Sequence, residues 1–201
     1  MLYSIVKCAV KLYLMFRYRI KVKGLENIPK GGAVLAANHL SNWDPVVLVV
    51  SCPRKVSFMA KAELFSSKLG KWFFTNTDMI PVKREVADLN AVKTSIKYLK
   101  DGKLLGIFVE GRRVKEGEDS EAKGGVAMLA IKAKKPVVPV CIESSFKTFS
   151  KINVIYGKPI DLLNNVEGKL TSDDYKELGG MVLDKIRSLK KEGTINGDHS
   201  S

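Results

Sequence analysis

The chain has 201 residues, 45% hydrophobic and 27% charged, a globular balance with enough apolar material for one core. A formal net charge of +13 and a pI near 9.6 favour an anionic partner, whether nucleic acid, a lipid headgroup surface or a phosphorylated small molecule. Cys8, Cys52 and Cys141 are odd in number and widely spaced, with no CxxC pair and no Cys/His cluster. They support neither a disulfide framework nor a zinc site, and they suit a reducing, cytosol-facing location.

In chain order, Met1–Phe16 is mostly apolar but carries Lys7 and Lys11 and is followed by no small-residue cleavage site. It is neither a secretory signal nor a confident span, which needs about 20 apolar residues. As a helix it places Ser4, Lys7 and Lys11 on one narrow stripe, and Arg17, Arg19, Lys21 and Lys23 follow in alternation. This pattern predicts an interfacial helix whose apolar face sinks into acyl chains while basic residues meet anionic headgroups. The alternative is a helix packed on the domain's own core. Residues 1–23 form this segment, 24–193 the main domain and 194–201 a frayed tail that includes His199.

Gly31–Asn38 reads as a buried strand leaving a glycine turn. Asp44–Ser51 reads as a helix with Asp44 as N-cap and Pro45 as first helical residue. A strand at KVSFMAK, a helix over Glu63–Phe74 and a short strand at MIPVKR follow. KLGKWFF (Lys68–Phe74) mixes lysines with aromatics and extends a membrane surface or packs as ordinary core. Asp88–Lys100 is a helix with Leu89, Val92, Ile96 and Leu99 on one face and Gly102 as its stop. Leu104–Glu110 is a buried strand, followed by a charged loop through Glu121 and a helix over Val126–Ala133. VVPVCI and INVIYG are strands, and Pro139 places the first at a bulge or an edge. Thr171–Lys191 closes the chain as a helix, acidic at its start and basic at its end. The alternation predicts a mixed, largely parallel α/β sheet flanked by helices. No internal repeat and no Walker or dinucleotide glycine pattern occurs.

The stretch NHLSNWDP holds His39, just past a buried strand, and Asp44 five residues on. Strand ends are where α/β sheets bind ligands. A carboxylate that accepts from one imidazole nitrogen fixes the tautomer and leaves the other to take a proton from a hydroxyl. The competing reading is a polar loop histidine beside a helix cap. Two more strand ends carry cationic groups: FVEGRR, with Gly111, Arg112 and Arg113, and IPVKR, with Lys83 and Arg84. Arginine holds phosphate through a planar fork of donors, whereas ordinary surface charge paired with Glu116, Glu118, Asp119 and Glu121 also accounts for the loop arginines.

Taken together, these blocks resemble the glycerolipid acyltransferase family, closest to the lysophosphatidate acyltransferases. The resemblance runs from about Gly31 to Val140. NHLSNWDP looks like the family's His, four residues, Asp signature. KAEL (Lys61–Leu64), IPVKR, FVEGRR and VVPV (Val137–Val140) resemble its other blocks. The chain departs from the pattern at Val109, Arg112 and Val114, where proline, threonine and serine are usual, and at Asp78, where glycine is frequent.

The resemblance implies acyl transfer from a thioester, acyl-CoA or acyl carrier protein, to the hydroxyl of 1-acyl-sn-glycerol-3-phosphate. His39 is then the base and Asp44 its orienting carboxylate. Arg84, Glu110, Gly111 and Arg113 form the acceptor site, with Lys61 and Arg112 as additional contacts. No metal or cofactor is implied. The partners implied are membrane lipids at the cytoplasmic face, held peripherally or monotopically, and not nucleic acid. Glycerol 3-phosphate or another lyso-lipid is the alternative acceptor. A non-catalytic binder of anionic lipid is the alternative class, and it leaves His39 with Asp44 unexplained.

Overall fold

The computed structural model describes residues 2–83, 88–115, 118, 120–166 and 168–195. Its strands are β1 (Arg19–Lys23), β2 (Ala33–Ala37), β3 (Val56–Lys61), β4 (Ile80–Val82), β5 (Leu104–Phe108), β6 (Val137–Glu143) and β7 (Lys151–Tyr156). They form one sheet in the order β1-β7-β6-β2-β5-β3-β4. Every neighbouring pair is parallel except β6–β7. The mixed, largely parallel sheet read from the sequence is therefore the one observed.

The helices follow from that topology, because parallel neighbours need long crossovers. From β2 the chain passes through α2 (Asp44–Ser51) to β3 and through α3 (Lys68–Asn76) to β4. It then returns through α4 (Leu89–Lys100) to β5 and α5 (Gly125–Ala133) to β6. Right-handed crossovers in opposite directions lie on opposite faces. Accordingly α4, α5 and α6 (Ser172–Ile195) cover one face, where Val34 and Ala36 of β2 point. The other face lies under α1 (Leu2–Arg17) and α2 and takes Ala33, Leu35 and Ala37. With both faces covered, β2 is buried at every residue.

α1 answers to both readings of the N-terminus. Leu14 is fully buried, Val10 packs on the same core, and the Tyr3 hydroxyl accepts the Val56 N–H at 3.1 Å. Its outer side exposes Ile5, Leu12, Tyr13, Met15 and Phe16, the last at 83%. The expected lysine stripe is not one outward stripe. Lys11 is exposed, but Lys7 turns inward and donates to the Cys52 carbonyl. Among the described residues no helix is long and apolar enough to cross a membrane.

Several expectations are corrected. Arg19–Lys23 is not a loose basic segment but edge strand β1, paired with β7 from Arg19↔Lys151 to Lys23↔Ile155. The helix expected over Glu63–Phe74 is a 3-10 turn, Ala62–Phe65, then α3, because the Ser67 hydroxyl accepts the Gly70 N–H and starts a new helix. Leu89 is 68% exposed, and the buried side of α4 is Ala91, Ser95 and Leu99. Pro139 lies in an interior strand. Its carbonyl accepts the Gly157 N–H, one step beyond the first β6–β7 pair, Val140↔Tyr156, so its missing donor falls where that ladder ends. α6 runs on to Ile195, past the expected boundary at 193 and past the basic turn at Lys190 and Lys191, while 196–201, with His199, lie outside the described residues.

Candidate active site

β2, β5 and β3 are parallel, so their C-terminal ends share one edge of the sheet. His39 follows β2, Glu110 follows β5 and Lys61 ends β3. The His39 loop is anchored by Asn38, whose side-chain amide donates to the Ile142 carbonyl (2.9 Å) and accepts the Ile142 N–H (2.8 Å). This amide imitates one more rung of the β2–β6 ladder after the strand has turned away.

Asp44 is fully buried. It is the first helical residue of α2, with Trp43 in the cap position, and it caps nothing ahead of it. Its Oδ2 instead accepts backward, from the Leu40 N–H (2.6 Å), the Ser41 N–H (2.7 Å) and His39 Nδ1 (2.9 Å). The N-cap role read from the sequence is thus replaced by a loop-closing role. Asp44 Oδ1 is buried without a partner among the described residues. A carboxylate that accepts the ring's Nδ1–H fixes the orientation of the imidazole and leaves Nε2 outward as the acceptor nitrogen.

The imidazole is 16% exposed and stacks on Phe108, with ring centroids 4.0 Å apart and planes at 15°. Phe58 stacks in turn on Phe108 at 6.0 Å. Gly106 makes room for it, since a Cβ there would sit 2.3 Å from the Phe58 ring. Phe108 was not singled out from sequence, and nothing in FVEGRR marks it as a platform for an imidazole.

Glu110, expected at the acceptor site, is turned toward the His39 loop. It is buried, and its Oε2 accepts the His39 backbone N–H at 3.1 Å. Ser120 Oγ donates to its Oε1 at 3.5 Å, and Arg187 of α6 donates to the Ser120 carbonyl at 3.0 Å. Burial pushes the Glu110 carboxyl above the ordinary carboxylate value, and the hydrogen bonds from backbone and Ser120 only partly oppose this. Glu110 lines a cavity of about 130 Å³ together with Asn38, Leu40, Val114 and Lys190.

The loop after Glu110 stays beside His39. Val114 N–H donates to the His39 carbonyl at 2.9 Å. Gly111 adopts φ +66°, which suits glycine, and a Cβ there would press on Lys123 at 3.1 Å. Val109 and Val114, two departures from the family pattern, are buried at 0% and 5% exposure, so each extends the core. Asp78, a third, sits at φ +59°, the region that glycine favours, and is held by Lys55 (2.8 Å) and Lys103 (3.3 Å). Arg112 is engaged by Glu118 at 2.5 Å. Arg113 is exposed and has no ion-pair partner among the described residues.

The structure therefore brings His39, Asp44 and Glu110 into one hydrogen-bonded group, with Gly111 and Arg113 on the adjoining loop. Lys61 is exposed at the same edge of the sheet, outside that group. Arg84, Glu116 and Asp119 lie outside the described residues. Among the described residues no cluster of three or more His, Cys, Asp or Glu is arranged to hold a metal ion. A half-buried histidine held by a buried aspartate, with its second ring nitrogen free beyond a strand end, can take a proton from a hydroxyl.

The sequence profile of the acyltransferase family matches residues 19–143. A 1-acyl-sn-glycerol-3-phosphate acyltransferase of Bacillus subtilis is 36% identical over 167 residues, 79% of this chain and 82% of that protein. One of Streptococcus pneumoniae is 30% identical over 79% of this chain and 61% of that protein. The crystal structure of a 1-acyl-sn-glycerophosphate acyltransferase from Thermotoga maritima superposes with a TM-score of 0.71 at 23% identity, covering 99% of this chain and 83% of that one. That likeness shows the shared fold.

Proposed function

The chain belongs to the acyltransferase family, and from that premise we propose that it transfers a fatty acyl group from a thioester to the hydroxyl of 1-acyl-sn-glycerol-3-phosphate, giving phosphatidic acid. The observation that carries the chemistry is the 2.9 Å contact between His39 Nδ1 and the buried Asp44 carboxylate. Asp44 holds the Nδ1–H tautomer, so Nε2 is the basic nitrogen. Nε2 takes the acceptor's hydroxyl proton as that oxygen attacks the thioester carbonyl. The tetrahedral oxyanion collapses, the C–S bond breaks, and the departing thiolate takes the proton from the imidazolium. His39 is restored, and no acyl group is ever bound to the protein.

Arg113 supplies the fork for the acceptor's phosphate. It stands next to Val114, whose amide holds the His39 carbonyl, so phosphate and hydroxyl are placed by one loop. Glu110 and Gly111 shape that loop, and Arg84 is the further acceptor contact that the family resemblance implies. Glu110 acts by holding the His39 backbone. Acyl-CoA and acyl carrier protein are the two donor classes.

The α1 face of the sheet is the side that meets the bilayer, at the cytoplasmic surface and without crossing it. Ile5, Leu12, Met15 and Phe16 of α1 are exposed there, and Trp43 stacks on Tyr13. The crossover rule places α3, with exposed Leu69 and Trp72, beside α2. Lys55 ties α3 to α1, donating to the Asn76 carbonyl while lying over the Tyr3 ring. The test is a screen of purified protein on vesicles, with lysophosphatidate, glycerol 3-phosphate and other lyso-lipids as acceptors and both thioesters as donors. Preferred acylation of lysophosphatidate supports the reading, and a preference for glycerol 3-phosphate overturns it.

A further inference from the structure

β1 is the outer edge of the sheet, and its side chains alternate between two faces. Ile20 and Val22 pack into the core beneath α1. Arg19, Lys21 and Lys23 point to the opposite face and are all exposed. Residues aligned in register share a face. Lys151, opposite Arg19, therefore joins the row, and it too is exposed. The next positions inward are half-buried Asn153 and Ile155, opposite Lys21 and Lys23. Glu143 stands beside Asn153 in the β6–β7 register and is the acidic residue at this end of the row. None of Arg19, Lys21, Lys23 and Lys151 has an ion-pair partner among the described residues.

This row cannot be assigned to lipid headgroups in the way the sequence suggested. The apolar side of α1 covers one face of the sheet, and the basic row projects from the other. If α1 lies on a bilayer, Arg19, Lys21 and Lys23 face away from it, toward the aqueous side. A row of unpaired cations on a flat strand face matches an acidic protein surface. Position relative to the active site narrows the partner. The N-terminal end of β1 lies at the edge of the sheet where β2 ends, because β7 runs antiparallel to β6. Three strand spacings separate β1 from β2, a lateral offset of roughly 14 Å at about 4.8 Å each. A partner seated on β1 reaches His39 only through a long flexible arm.

Resting on the acyltransferase reading, we propose that the Arg19–Lys21–Lys23–Lys151 face docks the acidic surface of an acyl carrier protein, whose prosthetic arm delivers the thioester to His39. The donor then arrives from the aqueous side while the lipid acceptor arrives from the bilayer side. Acyl-CoA uses the same catalytic group without this face.

The experiment compares wild type with Lys21→Glu/Lys23→Glu, using the same acyl chain on acyl carrier protein and on coenzyme A. The kcat/KM for the carrier-borne donor falls by about tenfold or more, and for acyl-CoA it stays within about twofold. The milder Lys21→Gln/Lys23→Gln and the separate Lys151→Glu give smaller losses in the same direction, which guards against a folding defect in the reversed pair. Anisotropy of labelled acyl carrier protein, without acceptor, reads docking independently of turnover. Wild type binds it, the reversed pair does not, and raising salt weakens the wild-type complex. Equal loss with both donors, equal binding by wild type and variant, or no binding by wild type overturns the proposal. So does loss of vesicle co-sedimentation in the reversed pair, which assigns the face to lipid instead. Carrier binding by a wild type that does not acylate lysophosphatidate leaves the docking face standing and overturns the acceptor reading.

Discussion

At the scale of single residues, Asp44 carries more than the sequence assigned to it. Its Oδ2 serves His39 and two loop amides together. His39→Ala removes the base, together with its contacts to Asp44 and Phe108, and lowers kcat by about 10²–10⁴-fold while the loop amides keep Asp44 Oδ2. Asp44→Ala also strands the Leu40 and Ser41 amides, costing about 1–3 kcal/mol of stability where a lost cap costs about 1. Urea unfolding beside steady-state kinetics separates the two variants, and a His39→Ala variant with substantial activity rules out the base. For Arg113→Ala the apparent KM for lysophosphatidate rises roughly ten- to a hundred-fold, the worth of about 1.5–3 kcal/mol in a charge-assisted contact, and the donor KM barely moves. Arg113→Lys recovers only part of this, since an ammonium lacks the fork. Arg112 pairs with Glu118 only at the surface and is free to exchange, so the Arg112→Ala/Arg113→Ala double variant is measured beside the single one. Glu110 yields a pH prediction. Burial raises its carboxyl value in the folded protein, so the folded state binds more protons than the unfolded one as pH rises from the ordinary value to the raised one. The stability it contributes is present below the ordinary value of 4.5 and is lost as pH rises through the raised value. Glu110→Gln keeps an acceptor for the His39 amide without the charge. Denaturant midpoints show it at least as stable as wild type at pH 7, with the difference shrinking toward pH 4.

At the scale of elements, α1 shows how one helix holds two incompatible-looking readings. Deleting Met1–Phe16 is a poor test of membrane contact, because it removes the fully buried Leu14. Leu14→Ala alone costs about 2–5 kcal/mol. Leu12→Asp with Phe16→Asp touches only the exposed side and releases the protein from vesicles with its melting temperature nearly unchanged. Co-sedimentation of the double variant at wild-type levels would remove α1 from the membrane surface. The order of strands and helices was legible because periods of two and three to four residues are local, and His39 with Asp44 was legible because five residues bring them together. What was not legible depends on distant partners. Arg-Ile-Lys-Val-Lys alternates as an edge strand does, yet only pairing with β7 decides that it is one. Pro139 reads as an edge residue until Gly157 shows where its ladder stops. Glu110 reads as part of the acceptor site, and only the fold shows that it also holds the His39 amide, 71 residues away.

At the scale of the molecule, the proposed membrane orientation assigns the two faces of the sheet to two environments. α1, the Trp43 loop and α3 present exposed apolar groups, and α4, α5 and α6 cover the face of the sheet opposite α1. Hydrogen exchange on adding anionic vesicles protects α1, the Trp43 loop and α3, and leaves α4 to α6 unchanged. Protection spread evenly over both faces contradicts this orientation. The topology also has a consequence for how the protein is made. β2 emerges early from the ribosome, but its neighbours β5 and β6 come much later, and Asn38 waits for Ile142, 104 residues downstream. The His39 loop therefore has no fixed geometry until most of the chain has been translated. α1, in contrast, precedes every strand of the sheet and meets cytosol or bilayer before the core that covers Leu14 exists. Newly made chains thus pass through an interval in which the greasy helix is out and the catalyst is not yet built. If α1 binds the bilayer as proposed, a membrane within reach during that interval shelters the helix from aggregation, and attachment and folding are then coupled in time.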